Sequence, residues 1–144
     1  MIKRIFNKEQ LLGIIVKNNF HKDGIEFFTG DDLSQQLAFM SHKKGHEIIP
    51  HFHNSVPRTI HYTQETLFIR KGKLRVDFYD CEEAYLESHI LEAGDVILLV
   101  SGGHGFEVLE NLEMFEVKQG PFVGAKGKTR FTAISKDQIK LKEK

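Results

Sequence analysis

Three histidines and a glutamate in this chain have the residue types and spacing of a metal site. His51 and His53 flank Phe52 in the stretch from Gly45 to His53, Glu65 opens Glu65-Thr-Leu-Phe-Ile-Arg-Lys-Gly72, and His104 ends Gly94-Asp-Val-Ile-Leu-Leu-Val-Ser-Gly-Gly-His104. Side chains at i and i+2 of an extended strand share a face, so His51 and His53 are predicted to aim at one point. Imidazoles with one carboxylate suit a divalent transition metal (zinc, manganese, iron or nickel) better than calcium or magnesium. Four protein ligands leave one or two positions open to water or substrate, the mark of a catalytic rather than a structural centre.

Such a metal needs a partner that moves protons. Glu116 and Lys118 lie two apart on one predicted strand and so share a face, which alternation alone leaves either inside a barrel or in solvent. His61 sits in the loop between the two motifs, where it could act as a general acid or base, although a loop histidine without a partner is ordinarily incidental. The remaining histidines, His21, His42, His46 and His89, show no partner pattern and read as structural or exposed. Arg58, Tyr62 and Arg70 are candidates for gripping a substrate, and the basic stretch Lys126, Lys128, Arg130 would suit a nucleotide diphosphate. Solvated surface is the ordinary account of all six.

The elements that must position these residues read as short strands with evenly spaced turns. Leu74, Val76 and Phe78 alternate with Arg75, Asp77 and Tyr79 in a half-buried strand, Asp80 to Glu83 is a hairpin turn, and Tyr85 to Leu91 returns. Gly94-Asp95 turns into the apolar run Val96 to Val100, Gly102-Gly103-His104-Gly105 turns again, and Met114 to Lys118 is the last strand before Gly120-Pro121. Asn7 and Gln10 could open a helix over 8–17, but Gly13 and Ile14-Ile15-Val16 favour a strand there. Phe27-Phe28 precedes a turn at 29–32, and Gln35 to Ser41 is extended. Phe52, opposite the two histidines, is expected to anchor its strand, and Phe39, Phe68, Phe78, Phe106 and Phe115 are expected in the core.

With 144 residues and no linker or repeat, a single domain is expected. Twenty basic residues balance twenty acidic ones, so no global field draws the chain to nucleic acid or a membrane surface. No apolar run approaches a membrane span, and the N-terminus lacks the apolar core of a signal peptide. Cys81 stands alone in an acidic turn, which excludes an internal disulfide, argues against a reactive thiol and points to the cytoplasm. The Lys/Glu tail, 140–144, is expected to be solvated.

Gly45, five residues, His51-x-His53, then Glu65, six residues and Gly72 resembles the first motif of the cupin superfamily, and Gly94 through His104 resembles the second. The segment between His53 and Glu65 is longer than the compact cupin spacing, and the second motif lacks its usual proline and sets its histidine one residue early. Tyr62-Thr-Gln-Glu65, Gly102-Gly-His-Gly-Phe106 and Glu116-Val-Lys-Gln-Gly-Pro121 are similar to small stand-alone cupins that accompany bacterial surface-polysaccharide biosynthesis. The resemblance implies an all-β double-stranded β-helix (a jelly-roll barrel) with little helix. Its core would span about 35–120, with N-terminal strands and the C-terminal tail outside it. It also implies a homodimer, to which an N-terminal strand could cross, and a sugar or nucleotide-sugar ligand. The metal of His51, His53, Glu65 and His104, with an acid or base among His61, Glu116 and Lys118, then predicts a sugar isomerase or epimerase. An iron-dependent oxygenase and a non-catalytic sugar-sensing module remain open beside it.

Overall fold

Leu12, Ile14 and Ile15 are buried almost completely, and that burial decides the structure of the N-terminal segment. The computed structural model, which describes residues 1–142, makes a strand of Ile2–Asn7 (β1) and another of Gln10–Val16 (β2). A strand that is apolar on both faces needs cover on both, so β2 takes an interior place between β1 and Val96–Leu99 (β7). Gly13 belongs to that packing, since a Cβ there would stand 2.9 Å from the Phe78 ring. The sequence expectation of a strand and not a helix within 8–17 holds. The expectation that N-terminal strands lie outside the barrel core does not, because Ile5, Leu12 and Ile15 are part of the core itself.

The spine of the fold is Glu65–Tyr79 (β5), with Tyr85–Glu92 (β6) and Gly103–Lys118 (β8) beside it. Six strands form one antiparallel sheet in the order β1-β2-β7-β5-β6, with β8 also paired to β5. The first residues of β5 pair with β7 and its later ones with β6, while β8 follows the other edge along nearly its whole length. Inward residues Leu67, Ile69, Leu74, Val76 and Phe78 of β5 meet Ile97 and Leu99 of β7 and Leu91 of β6 in one cluster. Each such side chain contributes roughly 1.5–3 kcal/mol on burial.

This sheet is curled. Glu65 pairs with Lys118, and Phe78 pairs with His104. On a straight strand Glu65 and Phe78 would lie about 43 Å apart, at ~3.3 Å per residue. Instead the side chains of Glu65 and His104 touch, so β5 bends back on itself and the sheet forms half a barrel. The bend centres on Gly72, where φ is 85° and the β5–β8 register shifts on both sides. A Cβ at Gly72 would sit 2.1 Å from the Asn111 carbonyl oxygen, so only glycine lets the two backbones approach there.

Polar groups lock the turns. Asp95 is fully buried, accepts backbone N–H bonds from Asn18 (2.8 Å) and Glu92 (2.7 Å), and pairs with the Lys17 ammonium. Asp77 is held by both Nε and Nη2 of Arg75. Beyond β8 the chain returns over the sheet: the Ile134 N–H donates to the Tyr79 hydroxyl (3.0 Å), and the Lys140 N–H donates to the Tyr85 hydroxyl (2.8 Å). Ser88 exchanges backbone bonds with Lys140 and Lys142, each 2.9 Å. The tail expected in solvent is exposed over 140–142, with its backbone also bonded to β6, and residues 143 and 144 lie outside the described range.

Residues 21–61 form a compact unit of their own, distinct from the unit made by residues 1–20 with 62 onward. Its regular part is a hairpin of Gly24–Phe27 (β3) and Ala38–Ser41 (β4), closed by Thr29 and Gln36 side chains 2.9 Å apart. Residues 42–63 adopt no strand, which corrects the expectation of one over the first motif. Pro50 offers no N–H to a ladder, Pro57 is a second break, and Phe52 is 84 % exposed instead of anchoring a strand. Phe78 is buried as expected, whereas Phe68, Phe106 and Phe115 are exposed.

Candidate functional site

A cavity of about 960 Å³ opens between the start of β8 and the segment that follows it. Glu65, His104 and Lys118 stand on its wall. The topology explains why. Glu65 begins β5 and pairs directly with Lys118 at the end of β8, and the curl of the sheet returns His104 to the same point. Gly102 and Gly103 make the approach possible: Gly102 has φ 71°, and a Cβ on Gly103 would strike the Phe131 ring at 2.9 Å.

The Glu65 carboxylate is divided between two partners. Its Oε2 lies 3.2 Å from His104 Nε2 and its Oε1 lies 3.0 Å from Lys118 Nζ. The hydrogen bond with His104 is the main reason its pKa falls from 4.5 to about 2, Lys118 adds to it, and burial opposes both. Lys118 also pairs with Glu116 at 2.6 Å. The hydrogen bonds with Glu116 and then Glu65 raise its pKa, so at neutral pH it is a donor of hydrogen bonds and not a base.

The pair Glu65–His104 has the separation expected of two donors on one ion. Ligand bonds of about 2.0–2.2 Å at angles of about 90–109° put neighbouring donor atoms ~3.0–3.4 Å apart, and the observed distance is 3.2 Å. In the unit 21–61, His51 and His53 are exposed with ring centroids 5.3 Å apart, near the ~4.5–5.2 Å that two imidazoles on one metal would show. His51 Nδ1 lies 2.9 Å from the Ile49 carbonyl oxygen, an orienting bond that leaves Nε2 for a ligand. Each pair therefore has two donors at a spacing compatible with one ion, within its own unit. Among the described residues no third His, Cys, Asp or Glu completes either pair locally.

Of the proton-transfer candidates, Lys118 lines the cavity, Glu116 stands behind it as its ion-pair partner, and His61 is an exposed residue at the end of the 21–61 unit. Arg70 pairs with Glu113 (3.6 Å) on the exposed side of the sheet, and Arg58 turns to its neighbour's carbonyl at Val56. His42 stacks on His46 with centroids 4.1 Å apart, and His89 is buried against Glu87 with burial lowering its pKa. Cys81 is an exposed turn residue, as its sequence context predicts. Sequence reasoning missed the aromatic floor of the cavity, where Tyr79 and Phe131 meet edge to face at 5.0 Å. The segment 119–135 has no strand periodicity, so nothing in its pattern announced that it folds back on the sheet.

Compared with models of protein families, with curated proteins and with solved structures, the chain has no match in any of the three. No helix among the described residues is long and apolar enough to cross a membrane.

Proposed function

We propose that the chain is a metal-binding cupin-type barrel that isomerises or epimerises a sugar or nucleotide-sugar. The observation that carries this reading is the Glu65 carboxylate held between His104 and Lys118 on the wall of a large cavity. The curled antiparallel sheet is compatible with a double-stranded β-helix, and the fold belongs to the proposal at that level of detail. In the unit that carries the cavity, the metal ligands of this reading are Glu65 and His104, while His51 and His53 form a candidate pair of their own in the unit 21–61. A bound divalent ion would supply Lewis acidity that polarises a sugar carbonyl.

The chain's own residues supply the rest. Lys118, kept as an ammonium by Glu116 and Glu65, donates a hydrogen bond to the oxygen on which negative charge develops. A carboxylate, Glu116, takes the proton from the carbon next to the carbonyl and returns it to the neighbouring carbon or the opposite face. The exchange is redox-neutral and needs no further reactant. The tyrosine and phenylalanine floor excludes water from the apolar face of the ring. A homodimer in the cytoplasm remains part of this proposal, and sedimentation velocity across protein concentrations tests the assembly.

The decisive experiment incubates the metal-loaded protein with free and nucleotide-linked sugars in D₂O and follows deuterium entry at carbon by NMR. Exchange that requires Glu65 and His104 and drops at least tenfold in Lys118→Met supports the reading. Binding without exchange favours the sensing module, and substrate-dependent oxygen uptake by an iron-loaded sample favours an oxygenase. Either outcome removes the isomerase.

A further inference from the structure

Beyond the acid–base cluster, the cavity wall carries two cations that the proposed reaction does not use. Lys128 and Arg130 line it, two residues apart, and Lys128 has extended backbone angles (φ −146°, ψ 131°). Among the described residues neither has an acidic partner, whereas Lys118 is already paired with Glu65 and Glu116. Counting Lys118, Lys128 and Arg130 against Glu65, the lining has two surplus positive charges, and one if Glu116 behind Lys118 is included. Unpaired cations on a concave wall favour an anion, because the apolar surface beside them focuses their field. Arginine adds a planar fork that grips two phosphate oxygens at once, and lysine adds a point charge.

The same wall holds an aromatic ring with no protein cover. Phe122 lines the cavity and is 93 % exposed, and its neighbour Val123 is 61 % exposed. An uncovered ring at a cavity mouth offers a flat apolar face on which a nucleobase can stack. The cavity volume stands near the top of the range for small-molecule sites, about 300–1,000 Å³, and so accommodates more than one sugar ring.

We infer that this cavity takes a nucleoside diphosphate-linked sugar, with Lys128 and Arg130 binding the diphosphate and Phe122 stacking on the base. The inference rests on the reading of the cavity as a sugar site and adds which part of the ligand each wall holds. A sugar monophosphate would use the two cations but leave Phe122 idle, and an uncharged sugar would use neither.

Titration calorimetry of the full chain in metal-free buffer tests it, with inorganic pyrophosphate and uridine diphosphate as probes. Both probes are expected to bind, the nucleotide more tightly. Lys128→Gln with Arg130→Gln is expected to weaken both at least tenfold and to flatten the salt dependence. Phe122→Ala is expected to weaken uridine diphosphate about tenfold and pyrophosphate less than twofold. All three positions are exposed, and an unchanged thermal midpoint verifies that the variants fold. The inference is overturned if wild-type protein binds neither probe, or if the charge variant binds both as tightly as wild type. Its nucleotide half is overturned if Phe122→Ala leaves uridine diphosphate unaffected. Deuterium exchange into the sugar is a separate readout, so loss of that activity with binding intact counts against the reaction and not against the anion site.

Discussion

At the scale of single residues, Glu65 makes the clearest commitment. Its folded pKa of about 2 lies below the ordinary 4.5, so its stabilisation is complete above pH 4.5 and is lost as pH falls toward 2. A shift of this size in a fully shielded group corresponds to on the order of 3 kcal/mol, and solvent reaching Lys118 and His104 reduces it to about 1–2 kcal/mol. Urea unfolding of metal-free protein is therefore expected to show a steeper loss of stability between pH 4.5 and 2 for wild type than for Glu65→Gln. Equal slopes would contradict the geometry around this carboxylate. Asp95 makes a second commitment, because its fully buried carboxylate satisfies two backbone amides and Lys17. Asp95→Ala is expected to cost about 3–5 kcal/mol, the penalty of leaving buried partners unmet, measured by the same denaturation. The sequence showed Gly94-Asp95 as a turn and Glu65 as a metal ligand, or else a strand residue paired with a lysine. It did not show that Lys118 would be the cross-strand neighbour, because register between strands some 50 residues apart is set by packing and not by local pattern.

At the scale of elements, the bend in β5 decides whether there is a site. Gly72→Ala forces a Cβ into the Asn111 carbonyl as well as an unfavourable φ, whereas Gly45→Ala, at φ 89°, meets nothing within 4 Å. The first is expected to lower stability by more than ~3 kcal/mol and the second by only about 1–2 kcal/mol, the cost of the backbone angle alone. Thermal melts of the two variants side by side check the contrast. The second half of β5, β6 and β7 were legible because Leu74-Val76-Phe78 alternates cleanly and Val96–Val100 is continuously apolar, whereas β8 was legible only at Met114–Lys118, since Gly103-His104-Gly105, read as a turn, already belongs to it. β2 was legible in kind but not in place: its run of Ile14, Ile15 and Val16 announces burial without naming the neighbour that provides it. The segment around His51 and His53 has the alternation of a strand but does not form one, and Pro50, directly before His51, offers no N–H to a ladder.

At the scale of the whole molecule, the N-terminal hairpin is part of the main sheet. β1 pairs with β2 and β2 with β7 inside one chain, and Ile5, Leu12 and Ile15 belong to the shared core. Losing three such side chains removes roughly 2–5 kcal/mol apiece, enough to exhaust a typical total of about 5–15 kcal/mol. A chain that starts at residue 21 is therefore expected to lose cooperative unfolding by circular dichroism. A cooperative melt for that fragment would mean that β5 to β8 hold together without the hairpin.

The meeting of Glu65 with His104 has one more consequence. The two side chains come from places far apart along the chain, and the contact acts as a clasp on the bent spine. Whatever ligand grips both must pull the clasp shut, so occupancy should raise the melting temperature as free ligand increases. It should also slow amide hydrogen exchange at Ile69, Lys71 and Lys73, next to the hinge and remote from the ligand itself. Protection confined to the immediate neighbours of Glu65 would mean that the spine keeps its curvature unaided.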